Sequence, residues 1–244
     1  LAAAAVLVLS VAGVAVIMNQ PSPGIGGPEA TPTPIASPSP SPSPSSTEAA
    51  LCQPTDPSCL GPLAAGRHST SRIVTPFTFE VPEGWSRVQE KPGYLALERP
   101  GETGIVFISA DPVAVDQELC SSKADASVGT SAEDLVGWLT GHPGLTATEP
   151  AIVSLGGLSG WTLEAEMRDG WDPFPCPLRV NLFSHDGTAV EDDMWWQIDA
   201  AERMRLTILD AGDHTVMIDV EADKADFDAV VAEAAPVVES FDFE

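Results

Sequence analysis

The sharpest run of carboxylates in the chain is Glu191-Asp192-Asp193, which with Asp186 offers oxygen ligands of the kind a hard cation such as calcium takes. Their spacing follows no calcium loop, so the run reads first as a solvated turn between strands. Asp169 and Asp172, around Gly170 and Trp171, have the same standing. His68, His142, His185 and His214 are far apart, and each adjoins Ser, Gly, Pro or Asp, which reads as four surface turns. A serine hydrolase needs its nucleophile on a G-x-S-x-G elbow with a base and an acid in reach. Gly157-Leu158-Ser159-Gly160 comes nearest and fails that motif. Glycoside hydrolysis needs only two carboxylates flanking a cleft, and 36 acidic residues leave that open. The residues thus predict no metal, no cofactor and no catalytic set, with a cell-envelope hydrolase kept as an alternative.

The aromatic residues point elsewhere. Trp171 in WDPFPCP and Trp195-Trp196 in DDMWW combine wide apolar rings with Pro and acidic neighbours, a composition suited to a glycan or protein partner. The competing reading is core packing. Adjacent residues of a strand face opposite ways, so one of Trp195 and Trp196 is a candidate for exposure or for a second packed layer.

Cys52, Cys59, Cys120 and Cys176 allow three pairings. We favour Cys52 with Cys59, closing a short Pro-containing loop, and Cys120 with Cys176, which together imply an oxidising compartment. No C-x-x-C occurs, which weighs against zinc. The net charge of −25 arises from 36 acidic and 11 scattered basic residues. Nucleic acid is therefore an unsuitable partner, because phosphates need a cationic surface.

The framework that must hold these residues begins at residue 1. Leu1 to Met18 carry no charge, close to the roughly 20 apolar residues a membrane helix needs. The chain opens on Leu, so an upstream part is expected to lengthen this segment and supply cytoplasmic positive charge. An uncleaved anchor is preferred over a signal peptide, whose basic start and A-x-A site are not visible. Residues 19–66 are rich in Pro and Ser, including SPSPSPSPSS at Ser37 to Ser46, and read as an unfolded, extended stalk. A single domain is expected over residues 67–244.

Within that domain, even spacing of Ile73, Phe77, Phe79 and Val81 predicts a strand over Ser71 to Val81. Pro82-Glu83-Gly84 then forms a turn. A meander is expected through Tyr94 to Leu97 and Gly104 to Ser109, followed by a loop over Asp111 to Thr130. The T-x-x-E box from Thr130 to Glu133 opens a helix carrying Leu135, Trp138 and Leu139 on one face. Strands follow at 151–155, 160–167, 178–183 and 194–198. Arg203 to Leu209 and Thr215 to Val220 form a hairpin around DAGDH. A second helix spans Asp226 to Phe241, and Pro236 is expected to kink or split it, with Phe241 and Phe243 in a final strand. The fold class is α+β: a twisted, mostly antiparallel sheet with two helices packed on one face.

The phrases FTFEVPEGW, LSGW, ERMRLTILD and DFDAVVAEAAPVVESF resemble those of bacterial single-pass proteins built from a membrane helix, a Pro/Ser stalk and a domain of this kind. Some of these are similar in layout to anti-sigma factors. The F-x-V-P-x-G-W opening also resembles the PsbP-like fold. The resemblance implies a C-terminal domain outside the cell membrane, anchored by one helix, and carries no catalytic residue. The leading expectation is a non-catalytic extracytoplasmic binding or sensing domain with an unknown protein or glycan partner. The alternative is the outer half of an anti-sigma-type regulator.

Overall fold

The computed structural model describes residues 51–70, 72–99, 105–116, 123–171, 179–185 and 195–243, with backbone alone at 105, 185 and 195. The expected anchor and residues 19–50 of the expected stalk lie outside these residues. Among the described residues no helix is long and apolar enough to cross a membrane.

In chain order the strands are β1 (Gly61–Pro62), β2 (Gly66–Ser69), β3 (Phe77–Val81), β4 (Ser86–Lys91), β5 (Tyr94–Glu98), β6 (Ile105–Ala110) and β7 (Pro112–Ala114). Helix α1 (Ala132–Gly141) follows. Next come β8 (Leu145–Ala147), β9 (Ala151–Leu155), β10 (Leu158–Met167), β11 (Arg179–His185), β12 (Trp195–Asp199), β13 (Glu202–Ala211) and β14 (His214–Asp223). Helix α2 (Phe227–Glu239) and β15 (Asp242–Phe243) close the chain. The central sheet runs β1-β4-β5-β6-β14-β13-β10, and β10 pairs on its outer side with both β8 and β9. All of these strand pairs are antiparallel.

The sheet alternation sorts side chains into two cores. On β14, Val216, Ile218 and Val220 join one cluster with Val230, Val231, Ala234 and Val237 of α2. Met217 of the same strand joins the other, with Leu135, Val136 and Leu139 of α1. The two helices therefore lie on opposite faces of the sheet, not on one face as the sequence suggested. Each helix shares its face with a small sheet. Strands β15-β3-β2 lie on the α2 side, carrying Phe77, Phe79 and Phe243, and β12-β11-β7 on the α1 side, carrying Val180, Phe183 and Ile198.

Packed structure also starts earlier than Arg67. Cys52 and Leu63 are core residues, and the amide of Cys52 donates to Pro62 O at 2.7 Å while Leu63 N donates to Trp85 O at 2.8 Å. Pro and Gly around them made this stretch look like stalk, yet its two apolar side chains and the Cys52–Cys59 disulfide are enough to fix it.

The expected loop after Asp111 contains β7. At α1 the cap is one residue later than T-x-x-E: Ser131 Oγ accepts from Asp134 N at 3.2 Å, and Asp210 Oδ1 accepts from Ala132 N at 3.0 Å. Helix α2 runs through Pro236 without splitting. Its last turn is held because Val237 and Phe241 are buried and Ser240 Oγ accepts from Glu80 N of β3 at 2.7 Å.

Candidate functional site

A cleft of about 200 Å³ opens between α2 and the sheet. Val231, Ala235 and Val238 of α2 form one wall, and Val153 and Leu155 of β9 form the other. Ile218 and Val220 of β14 make an apolar floor, which Thr207 and Arg205 of β13 and Thr162 of β10 extend with polar groups. These side chains converge because even-numbered positions of β10 and β14 and odd-numbered positions of β13 point to the α2 side. Helix α2 leaves the cleft open where its small Ala235 faces the sheet.

The polar side of the cleft is held by a carboxylate between two guanidinium groups. Glu164 Oε1 accepts from Arg205 Nε at 3.1 Å, and Glu164 Oε2 pairs with Arg203. Arg203 in turn lies over the Phe227 ring, 4.8 Å from its centroid. Arg205 keeps N–H donors beyond those given to Glu164. The arrangement is a shallow, mostly apolar slot whose charged lining residues are Arg205, tied to Glu164, and Glu239 of α2, in a molecule whose net charge is strongly negative.

The opposite face of β14 carries different chemistry. Asp219 is fully buried and neither carboxylate oxygen has a hydrogen-bond partner. Glu221, two residues along on the same face, leads toward Glu202, Asp199 and Arg179 at the rim, where Arg179 lies 3.7 Å from both Asp199 and Glu202. Burial, then the charges of Glu221 and Glu202, push the Asp219 carboxyl well above the usual range. Burial, then Glu202, push Glu221 up to about 7, against the opposing pull of Arg179. Burial, then the charges of Glu221 and Asp219, also raise the Tyr94 hydroxyl. Sequence reading passed over Asp219 because alternation with Val216, Ile218 and Val220 puts it on the other face of β14, which a sheet covered on one side would leave to solvent; the second core buries that face instead.

The residues singled out from sequence fare differently. Asp186, Glu191, Asp192 and Asp193 lie outside the described residues, as do Asp172, Cys120 and Cys176. Among the described residues no group of three or more His, Cys, Asp or Glu could hold a metal ion. Trp196 is buried, its ring 5.7 Å from that of Tyr94. Trp171 is half-buried and packs against Gly144 near the end of α1. The two are thus not gathered on one exposed surface, and only the backbone of Trp195 is described.

Two histidines depart from the surface-turn reading. His68 faces inward on β2, stacks on Phe79 and donates from Nε2 to Ala64 O at 2.7 Å. His142 ends α1 beneath the Trp138 ring, and its Nδ1 accepts from Gly144 N at 3.1 Å. Burial and the nearby Arg168 lower its pKa to about 4, so it is neutral at pH 7. Turn-forming neighbours misled here, because β2 alternation and the helix end turn both rings inward. His214 does lie at a hairpin end, 2.8 Å from Asp111 Oδ2, and Asp111 Oδ1 accepts from Thr215 N. That pair pins β14 to the start of β7; Ser159, at the start of β10, stands two strands away at the same end of the sheet, opposite Asp210, which is itself opposite Thr215.

Comparison with known proteins adds fold likeness only. No family model matches the chain, and no curated protein does. Cyanobacterial PsbP (CyanoP) from Synechocystis sp. PCC 6803 is 14% identical, with a TM-score of 0.41 over 77% of this chain and 98% of its own. LpqN of Mycobacterium tuberculosis, described as involved in cell envelope biogenesis, is 13% identical, with a TM-score of 0.34 over 80% and 89%. A structure from Bacteroides thetaiotaomicron VPI-5482 is 14% identical, with a TM-score of 0.36 over 69% of this chain. The chain spans 45% of that last structure's length. The likeness to PsbP-like and LpqN-like folds is weak and says nothing of what this chain binds or does.

Proposed function

We propose that this is a non-catalytic binding domain, held outside a membrane by the upstream apolar segment and stalk, which takes a small amphipathic ligand in the cleft beneath α2. The observation that carries the reading is the cleft itself: apolar walls from α2 and β9, and Arg205 fixed by Glu164. Such sites bind through burial of an apolar body and orient it with a few polar groups. The ligand class is a short aliphatic or aromatic molecule bearing one anionic group. The Cys52–Cys59 disulfide fits an oxidising, extracytoplasmic setting.

Octanoate and octanol serve as probes. Calorimetric titration of the full chain should detect octanoate binding that Ala235→Phe abolishes by filling the cleft. Arg205→Gln should weaken octanoate by about tenfold while leaving octanol unchanged, the loss expected when a charged hydrogen bond is removed. Octanoate binding that Ala235→Phe leaves intact, or no binding at all, would overturn the assignment.

A further inference from the structure

Strand β9 has only one neighbour. It pairs with β10 from Leu155↔Leu158 to Ala151↔Thr162, and no strand covers its other edge among the described residues. The connecting turn is Gly156-Gly157, both with positive φ, a two-residue turn that makes Leu155 and Leu158 a hydrogen-bonded pair. Alternation from that pair gives Val153 and Ala151 inward backbone bonds and leaves the N–H and C=O of Ile152 and Ser154 pointing outward. The strand reads AIVSL, with no charge and no proline to discourage pairing. Ile152 is 78% exposed, and it stands directly opposite Trp161.

We propose that the free edge of β9 takes an extended, non-acidic segment of a partner protein as an added strand. The unpaired backbone groups at Ile152 and Ser154 specify an extended chain, since only a strand presents donors and acceptors at their spacing. Alternate side chains of that segment would cover Ile152 and Trp161 on one face and the rim of the cleft on the other. Charge selects its composition. Of all the charged residues only Glu29 precedes Thr47, so the net charge of −25 is concentrated on the domain, and exposed Glu149 lies just before the strand. A basic or neutral segment is attracted, whereas a second copy pairing β9 with β9 would set two strongly anionic domains together for a few backbone bonds. The surface stands independently of the cleft, and its test keeps the two apart.

The full chain would be titrated with a capped peptide alternating Lys and Val, and amide hydrogen exchange followed residue by residue. Exchange at Ile152 and Ser154 should slow by about tenfold or more, as for amides newly placed in a ladder. Ser154→Pro removes one outward N–H and should weaken binding by about tenfold. Ile152→Lys, at an exposed position that tolerates the change, should weaken it as well, and Ala235→Phe should have no effect. A peptide N-methylated along one edge that binds as tightly would reduce the effect to charge alone and overturn the proposal. So would protection elsewhere on the sheet, or a dimer in sedimentation that Ile152→Lys dissolves.

Discussion

Arg87 Nη1 lies 2.9 Å from Glu90 Oε2, and both side chains are buried at the junction of β4 with the Cys52–Cys59 loop. The pair is a clasp rather than a surface ornament. Arg87 also donates to Pro57 O in that loop and to Ser69 O of β2, while Glu90 Oε1 accepts from Thr70 Oγ1. Three separate chain segments therefore meet on one ion pair.

Breaking this pair from one side should cost much more than removing it altogether. Glu90→Gln leaves a buried guanidinium without its counter-charge, an uncompensated charge worth about 3 to 5 kcal/mol. Replacing both residues together, Arg87→Met with Glu90→Leu, should recover a substantial part of that loss. Urea denaturation of the single and double variants measures the difference. Equal losses for the single and double variants would contradict the account.

The buried acids of β14 set a pH dependence with a definite sign. Glu221 titrates near 7 in the fold against an ordinary value of 4.5, and Asp219 is shifted in the same direction. The folded state thus holds protons that the unfolded chain has already lost, so this contribution to stability is fully present below about pH 4.5 and declines as pH rises toward about 7. Discounted for the partial exposure of Glu221, the decline amounts to about 2 kcal/mol. His142, held neutral with its pKa lowered to about 4, works in the opposite sense over the same range, so the Glu221 contribution is read from the variant. By denaturation midpoints, Glu221→Gln should gain stability relative to the wild type as pH rises from 5 to 7.5. A difference between variant and wild type that stays constant over that range would refute it.

The Cys52–Cys59 disulfide should contribute about 2 kcal/mol through the closure of a short loop. Cys52 is buried beside Leu63 whereas Cys59 is partly exposed, so Cys52→Ser should be the more damaging of the two single variants. Thermal melts of both, with the reduced wild type as reference, test the ranking. Peptide mapping without reduction should recover Cys52 joined to Cys59, and the same map tests the pairing expected for Cys120 with Cys176.

Local periodicity made much of this fold readable. The β13–β14 hairpin shows in the alternation of Arg203 to Leu209 and Thr215 to Val220, and the structure extends both strands by a few residues. The apolar stripe of α2 likewise predicts its buried face. What periodicity cannot convey is which side of a sheet a stripe will meet. Placement of α1 opposite α2 follows from the alternate residues of β14 feeding two cores, a long-range arrangement absent from either helix. The cleft was hidden for the same reason, since Val153, Arg205, Ile218 and Ala235 come from four separate elements. Trp171 and Trp196 attracted notice as large aromatics beside acids and prolines, but their local sequences did not reveal which rings the second core would claim.

Strand β14 separates two unlike environments by the thickness of one backbone. Ile218 and Val220 support the cleft, and Asp219 and Glu221, interleaved with them, face the buried acids. Ligand occupancy on one side and protonation on the other would therefore act on the same few peptide units. By thermodynamic reciprocity, a ligand that favoured one charge state of Glu221 would be held more or less tightly as acidity changed, and its arrival would shift the titration of that carboxylate by the same factor.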